Sequence, residues 1–369
     1  ILIFDKVIDK TRHKAIIPDM GFLAKWVVKH YKAFLIVFVI VLIPAFWGYR
    51  NYDVYYDLAG TLPKELDSSK ANTKLGETFE MNSTHIGMID ASLEPKDVDE
   101  MMKRIDKLDG VMSTLALESV VGPAIPRDII PDSVKEVVMN DNYQLMMINS
   151  EYKVASDEVN KQCDEIESII KDYSDKSMLI GEAPCTKDLV TITDHDFKVV
   201  SAVSIGVIFV IVAIVFKSIS LPILLVSVIE FAIFINMAIP AYTGTELPFI
   251  AGIVIGTIQL GSTVDYAILM TTKYRKLRYR GAEKQEAITG ALESSMQSII
   301  ISALSFFAAT IGVGIYSNVD MVGSLCSLMA RGAIISMFVV ILILPSVFMI
   351  FDKIICKTSK GFLPSKTEE

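Results

Sequence analysis

The chain has few of the residues on which most enzyme chemistry rests. Four cysteines (Cys163, Cys185, Cys326 and Cys356) and four histidines are scattered through 369 residues, with no CxxC and no Cys/His spacing of the kind a metal site needs. Metal and redox chemistry are thereby disfavoured, and a Cys163–Cys185 disulfide has no pattern behind it. No GxxxxGK[ST] string occurs, nor any Gly-Lys dipeptide, which removes the loop that cradles nucleotide phosphates in ATP-driven machines. The chain is therefore expected to be neither an enzyme nor a cofactor carrier, and nucleic acid is not among its expected partners. It does not begin with Met and no signal peptide precedes its first apolar segment, as expected for a fragment of something longer.

Apolar residues are abundant. They make up 52% of the chain and the mean hydropathy is positive, too greasy for an ordinary soluble enzyme of this length. A membrane protein is expected. Charge is uneven: about 30 of the 43 carboxylates fall between Asp53 and Asp196, against about 14 Lys and Arg. That block is acidic and the remainder is net basic.

A bilayer core takes about 20 apolar residues per helix, and six segments qualify: 34–47, 198–216, 221–242, 249–272, 296–316 and 321–351. The first is short and draws on its flanks. Cytoplasmic loops collect Lys and Arg. Lys6, Lys10, Arg12, Lys14, Lys25, Lys29 and Lys32 precede the first span, Lys217 sits between the second and third, a cluster from Lys273 to Lys284 follows the fourth, and Lys353, Lys357 and Lys360 follow the sixth. Every basic cluster falls on one side, which places both termini in the cytoplasm and the acidic block outside the cell membrane. The expected fold class is a polytopic α-helical membrane protein, six spans arranged one plus five, with an extracytoplasmic α+β domain. Residues 1–32 then form a cytoplasmic segment, 33–50 the first span, 51–196 the external domain, 197–352 the five-span domain and 353–369 a cytoplasmic tail.

Residues 3–11 read IFDKVIDKT and residues 350–358 read IFDKIICKT, differing at two of nine positions. The second copy closes a long apolar helix, so the first is expected to be the end of a preceding, similar repeat.

Within the external block, alternation in residues 84–89 suggests a strand, and 95–108 has helical spacing with Pro95 near its start. A strand at 111–117 follows. The pattern recurs with a strand at 143–149, a helix at 156–173 capped by Ser156, and a strand at 177–180. Two β-α-β units in succession match a ferredoxin-like split sandwich. No Ser/His/Asp grouping appears here, and His85 and His195 stand alone. The acidity reads as a solvated surface, the alternative being attraction of cationic substrates.

Charged side chains within the hydrocarbon layer are costly and mark function. Three stand out: Glu230 in the third span, Asp265 in the fourth and Arg331 in the sixth. Asp265 is too deep for so short a side chain to reach water easily. Gly261 and Ser262 precede it by four and three positions, giving a small, polar face suited to packing against a helix or a wet cavity. A carboxylate there takes up or releases a proton as its hydration changes, because burial penalises the charged form. Static pairing with Arg331 is the plainer alternative. Glu230 reads equally as functional or as an interhelical hydrogen-bonding group, and Arg331 as a counter-charge to either acid. The stretch 273–288, KYRKLRYRGAEKQEAI, is suited to lying along an anionic leaflet, and Ser294, Ser295, Ser298, Ser302 and Ser305 offer polar contacts between helices.

The run Gly261-Ser262-Thr263-Val264-Asp265-Tyr266-Ala267-Ile268-Leu269, with Lys273-Tyr274-Arg275 after it, resembles the fourth-helix signature of the resistance-nodulation-division transporters, in their mycobacterial-membrane-protein-large (MMPL) branch. The resemblance extends over nearly the whole chain. It implies two six-helix halves related by a pseudo-twofold axis, whose Asp-Tyr pairs face each other and relay protons. Asp265 would be the proton acceptor and Tyr266 its hydrogen-bonding partner, with this chain the C-terminal half and the other half its partner. The substrates it implies are lipids, drugs and other amphiphiles in the plasma membrane, and a homo-oligomer is compatible with it. Two other classes stay open: a non-transporting, sterol-sensing-like receptor, and an accessory membrane component of protein secretion.

Overall fold

A computed structural model describes residues 20–57, 59–125 and 129–362. They form two compact units. One comprises the residues up to Asp53 together with Val200–Tyr316 and those from Val322 onward; the other comprises Val54–Val199 with Ser317–Met321. The first copy of the repeated nonapeptide, at 3–11, lies outside the described residues, while the second ends the last helix.

The first unit opens with α1, Gly21–Lys29, and α2, Tyr31–Arg50. Where the sequence reading expects only a basic approach to the first span, α1 buries Ala24, Val27 and Val28. Its buried stripe, Gly21, Ala24, Val27 and Val28, runs over only two turns, too brief to register as periodicity. α2 recruits the aromatic and basic flanks of its apolar centre and reaches 20 residues, enough for a hydrocarbon layer of about 30 Å.

The second unit runs α3 (Asp67–Phe79), β1 (Ser83–Asp90), α4 (Pro95–Ile105), β2 (Val111–Leu115), α5 (Leu117–Val121), α6 (Asp132–Val138), β3 (Tyr143–Ser150), α7 (Asp157–Tyr173) and β4 (Met178–Gly181). The strands form one antiparallel sheet in the order β2-β3-β1-β4. Ile86 of β1 stands opposite Met147 of β3 on one side and Ile180 of β4 on the other, so alternate residues of all three strands share a face. His85, Ile89, Met146 and Ile148 point to the face covered by α4 and α7, and those helices contribute Val98, Met101, Ile105, Ile166 and Ile170 to the same core. Pro95 begins α4, where its missing N–H costs nothing. The Ser156 hydroxyl accepts from the Val159 amide at 3.2 Å and caps α7.

The strands and two main helices fall where alternation and helical spacing put them. The exit differs. The reading leaves 181–196 as the end of the external block, yet α8, Glu182–Phe216, starts directly after β4 and continues into the apolar run. A helix needs no continuous apolar run, and several polar residues, Glu and Lys among them, are good helix formers, so hydropathy marks where a span becomes greasy, not where its helix begins.

After α8 come α9 (Ser220–Thr243), α10 (Ala251–Tyr279), α11 (Lys284–Tyr316) and α12 (Asp320–Thr358). Among the described residues, six helices (α2 and α8 to α12) are long and apolar enough to cross a membrane. α9 and α12 are the most buried of the six. The stretch 273–288 is divided between two helices. No breaker follows Thr272, so α10 runs to Tyr279; Gly281, at φ +87, makes the turn and α11 begins at Lys284. Of the α11 serines, Ser294, Ser295 and Ser305 donate to carbonyls of their own helix, those of Ala291 and Ile301. Cys163 and Cys185 are both free thiols.

Candidate functional site

The sequence of α10 divides by face. Gln259, Thr263, Tyr266, Ala267, Met270 and Tyr274 are buried, a spacing of four, seven, eight, eleven and fifteen that traces one side of a helix. Ile258, Gly261 and Asp265 lie on the other side and are exposed. A Cβ added to Gly261 would meet nothing within 4 Å. The small-residue face expected around Asp265 is therefore present, and among the described residues it is uncovered. Ser262 sits half-buried at its edge, its hydroxyl donating to the Gln259 carbonyl at 3.2 Å. Tyr266 is only 5% exposed and belongs to the bundle core. Neighbouring residues on a helix point about 100° apart, so Asp265 and Tyr266 leave α10 in different directions, and no hydrogen bond joins them among the described residues.

Behind this face lies a polar network. Asn236 of α9, fully buried, donates to Gln259 Oε1 of α10 at 2.9 Å and to the Leu328 carbonyl of α12 at 3.1 Å. Gln259 Nε2 donates to Ser336 Oγ of α12 at 3.0 Å, and Thr263 Oγ1 donates to the same Ser336 oxygen at 2.7 Å. Arg331 of α12 closes the group, its Nε on Asn236 Oδ1 at 2.9 Å and its Nη2 on the Asn236 carbonyl at 2.8 Å.

That carbonyl is free for a covalent reason. Its helical donor would be residue 240, which is proline and has no N–H. In a hydrocarbon layer such a carbonyl must find another donor, and Arg331 supplies it. Among the described residues Arg331 forms no ion pair with Glu230 or Asp265; its guanidinium fork is taken up by Asn236. Gly332, next in sequence, lets the helices approach; a Cβ there would lie 2.7 Å from both Asn236 Nδ2 and Gln259 Oε1. Glu230 is half-buried on α9, and no hydrogen bond or ion pair reaches it among the described residues.

Sequence reasoning singled out charges and passed over Asn236 and Gln259. The signal was there: each is a lone amide in an apolar run, and an amide in lipid costs enough to need a partner.

The MMPL family model matches residues 61–361 of the chain. The membrane protein YdgH of Bacillus subtilis (strain 168) is 23% identical over 266 residues, a match that covers 68% of this chain and 28% of that protein. The chain therefore spans under a third of the length of this relative.

Proposed function

The chain belongs to the MMPL family, a family of multi-pass membrane transporters, and from that premise we propose that it is half of a proton-driven exporter of hydrophobic or amphiphilic molecules, with Asp265 as the group that carries the proton. The observation that carries this reading is the placement of Asp265. It is an ionisable side chain on a spanning helix, one turn from a glycine, on a face of α10 that the described residues leave open. A carboxylate needs water or a partner when charged and tolerates an apolar contact when protonated. A face that another six-helix half covers and uncovers would therefore couple proton binding to movement between the halves.

The same reading takes the four-stranded sheet with α4 and α7 as a ferredoxin-like porter domain outside the plasma membrane, with both termini in the cytoplasm. The strand order and the single helix layer support it.

The test uses the full-length protein in proteoliposomes. Asp265→Asn should abolish extrusion of a fluorescent acyl-chain amphiphile driven by a pH gradient, while insertion and thermal stability are kept. Asp265→Glu should retain part of it. Undiminished extrusion by the Asn variant would sink the assignment.

A further inference from the structure

Strand β4 is the short edge of the external sheet. It pairs with β1 over four positions, 85–88 with 178–181, whereas β1 and β3 pair over eight. Its last residue, Gly181, stands opposite His85 at φ +127, and a Cβ there would lie 3.3 Å from the Thr84 carbonyl oxygen, so the position favours glycine. The next residue, Glu182, begins α8. The head of α8 is thus seated by this short ladder and by a small core that Ala183 shares with Val159 and Cys163 of α7.

The His85 imidazole fits that ladder in one protonation state. Gln162 Nε2 donates to the Asp109 carbonyl at 2.8 Å, which turns Oε1 toward His85 Nε2, 3.3 Å away. An amide oxygen only accepts, so Nε2 carries the hydrogen and Nδ1 is a bare acceptor. Nδ1 is buried without a hydrogen-bond partner. A second proton would go there and create a charged N–H with nothing to accept it, on a side chain that is 0% exposed. Burial and Gln162 are what act on the ring's pKa, and Ile148 and Gly181, its neighbours on the flanking strands, carry no charge. On α7, burial pushes the Cys163 thiol up to about 11, which keeps it neutral, while Asp164 is paired with Lys187. The Asp109 carboxylate accepts from the Tyr152 hydroxyl at 3.0 Å. Glu182 works in the opposite sense: burial and then Asp57 push its pKa above 4.5, so acid favours its folded form.

We infer that His85 is a proton-operated catch for the head of α8: neutral, it keeps β1 and β4 paired; charged, it releases β4 and the first turn of α8 while β1, β2 and β3 stay together. The four-position ladder is the weaker of the two that flank His85, and opening it brings the ring to water. Burial lowers the ring's pKa below 6.5, so the catch is fully closed above about pH 6.5 and opens as the pH falls from there toward the folded-state value. Because α8 continues from this unit into a spanning segment, the catch ties that connection to the acidity around the unit. That this acidity is external rests on the topology proposed above. The catch itself depends on neither transport nor Asp265, and Asp265→Asn should leave it unchanged.

Cys163 reports the release, since it is buried in the small core with Ala183. The full-length protein, with its other cysteines replaced by Ser, is treated with dithiodipyridine, and the rate at Cys163 is divided by that of the unfolded chain at the same pH. This ratio should rise by up to about tenfold per pH unit below about pH 6.5. His85→Gln should flatten the profile, and Gln162→Glu, which sets a carboxylate against the ring, should flatten or reverse it. At each pH, Cys163 should react at least about tenfold faster than the cysteine of Val98→Cys, buried between α4 and the sheet, in a Cys163→Ser background. Equal rates at the two sites would reduce the effect to unfolding of the whole unit and overturn the proposal, as would acid acceleration that survives His85→Gln. Should His85→Gln fail to fold, an unchanged profile in Gln162→Glu overturns it instead.

Discussion

The Tyr274 hydroxyl donates to the carboxylate of Asp352, joining the last turns of α10 to the end of α12. Asp352 is 6% exposed, and Arg278 reaches it from the next turn of α10, with Nη2 on Oδ2 at 3.3 Å and Nε 3.2 Å from Oδ1. Phe348 stacks on the Tyr274 ring at 5.0 Å and Phe362 meets it edge-on at 5.5 Å. Asp352 lies in the nonapeptide that recurs near the start of the chain, and the aspartate is kept in both copies.

Breaking this contact from either side should have unequal effects. Asp352→Ala leaves a largely buried guanidinium unpaired and should cost about 3 kcal/mol, whereas Tyr274→Phe removes one hydrogen bond and should cost about 1 kcal/mol. Combining Asp352→Asn with Arg278→Gln should be less damaging than the sum of the two single changes. Denaturant unfolding in detergent gives all five values, and strict additivity of Asp352→Asn and Arg278→Gln would show that the ion pair is not energetically coupled.

The Asn236 carbonyl makes a second cycle available. Arg331→Leu should destabilise the bundle by about 1 to 2 kcal/mol, because the carbonyl and the Asn236 side chain lose their donor. Pro240→Ala in that background restores a helical N–H to the carbonyl and should recover part of the loss. The same Pro240→Ala change with Arg331 present should gain less. Equal effects of Pro240→Ala in both backgrounds would mean that Arg331 does not serve the carbonyl.

Two glycines in spanning helices should respond oppositely to alanine. Gly332→Ala drives a methyl into Asn236 and Gln259 and should cost about 1 to 3 kcal/mol. At Gly206 of α8 a Cβ meets nothing within 4 Å, so Gly206→Ala should be neutral or stabilise by up to about 1 kcal/mol through helix propensity. Thermal midpoints of the two variants decide it; a destabilised Gly206→Ala would point to an unseen neighbour.

The external unit should lose stability in two separate acid windows. His85 is fully buried, with Nε2 3.3 Å from Gln162 Oε1, and burial pushes its pKa below 6.5 against a smaller opposing pull from Gln162. The unfolded chain then binds the proton first, so stability is complete above about pH 6.5 and falls as the pH drops from there toward the folded-state pKa. The Asp90 carboxylate accepts from the Ser92 amide and hydroxyl and from the Ser174 hydroxyl, which hold its pKa down from 3.8 to about 2. Its contribution is present above about pH 3.8 and is lost between there and about pH 2. Hydrogen exchange at β1 amides of the full chain against pH should show both steps, and His85→Phe should remove the upper one alone. An upper step that persists in His85→Phe would assign it to another group.

Much of this molecule is written locally. A spanning helix has to be greasy over some 20 consecutive residues, and a strand under a helix layer has to alternate, so both could be read from windows of the chain without knowing what packs against them. That is why the six spans, the strands β1 to β4 and the helices α4 and α7 fall where periodicity puts them. The exceptions follow the same logic. The start of α8 and the end of α10 lie in polar sequence, where hydropathy is silent but the helix continues.

The depth of Asp265 in its helix, the glycine before it and the lone amides at Asn236 and Gln259 were determined by the sequence alone. Which groups those residues meet was decided only by tertiary structure. Arg331 and Asn236 are 95 positions apart, and their contact follows from a carbonyl that Pro240 leaves bare on a different helix. Asp265 and Tyr266 are adjacent in sequence, yet one faces out and the other in, because the fold places the bundle against one side of α10 and leaves the other side open.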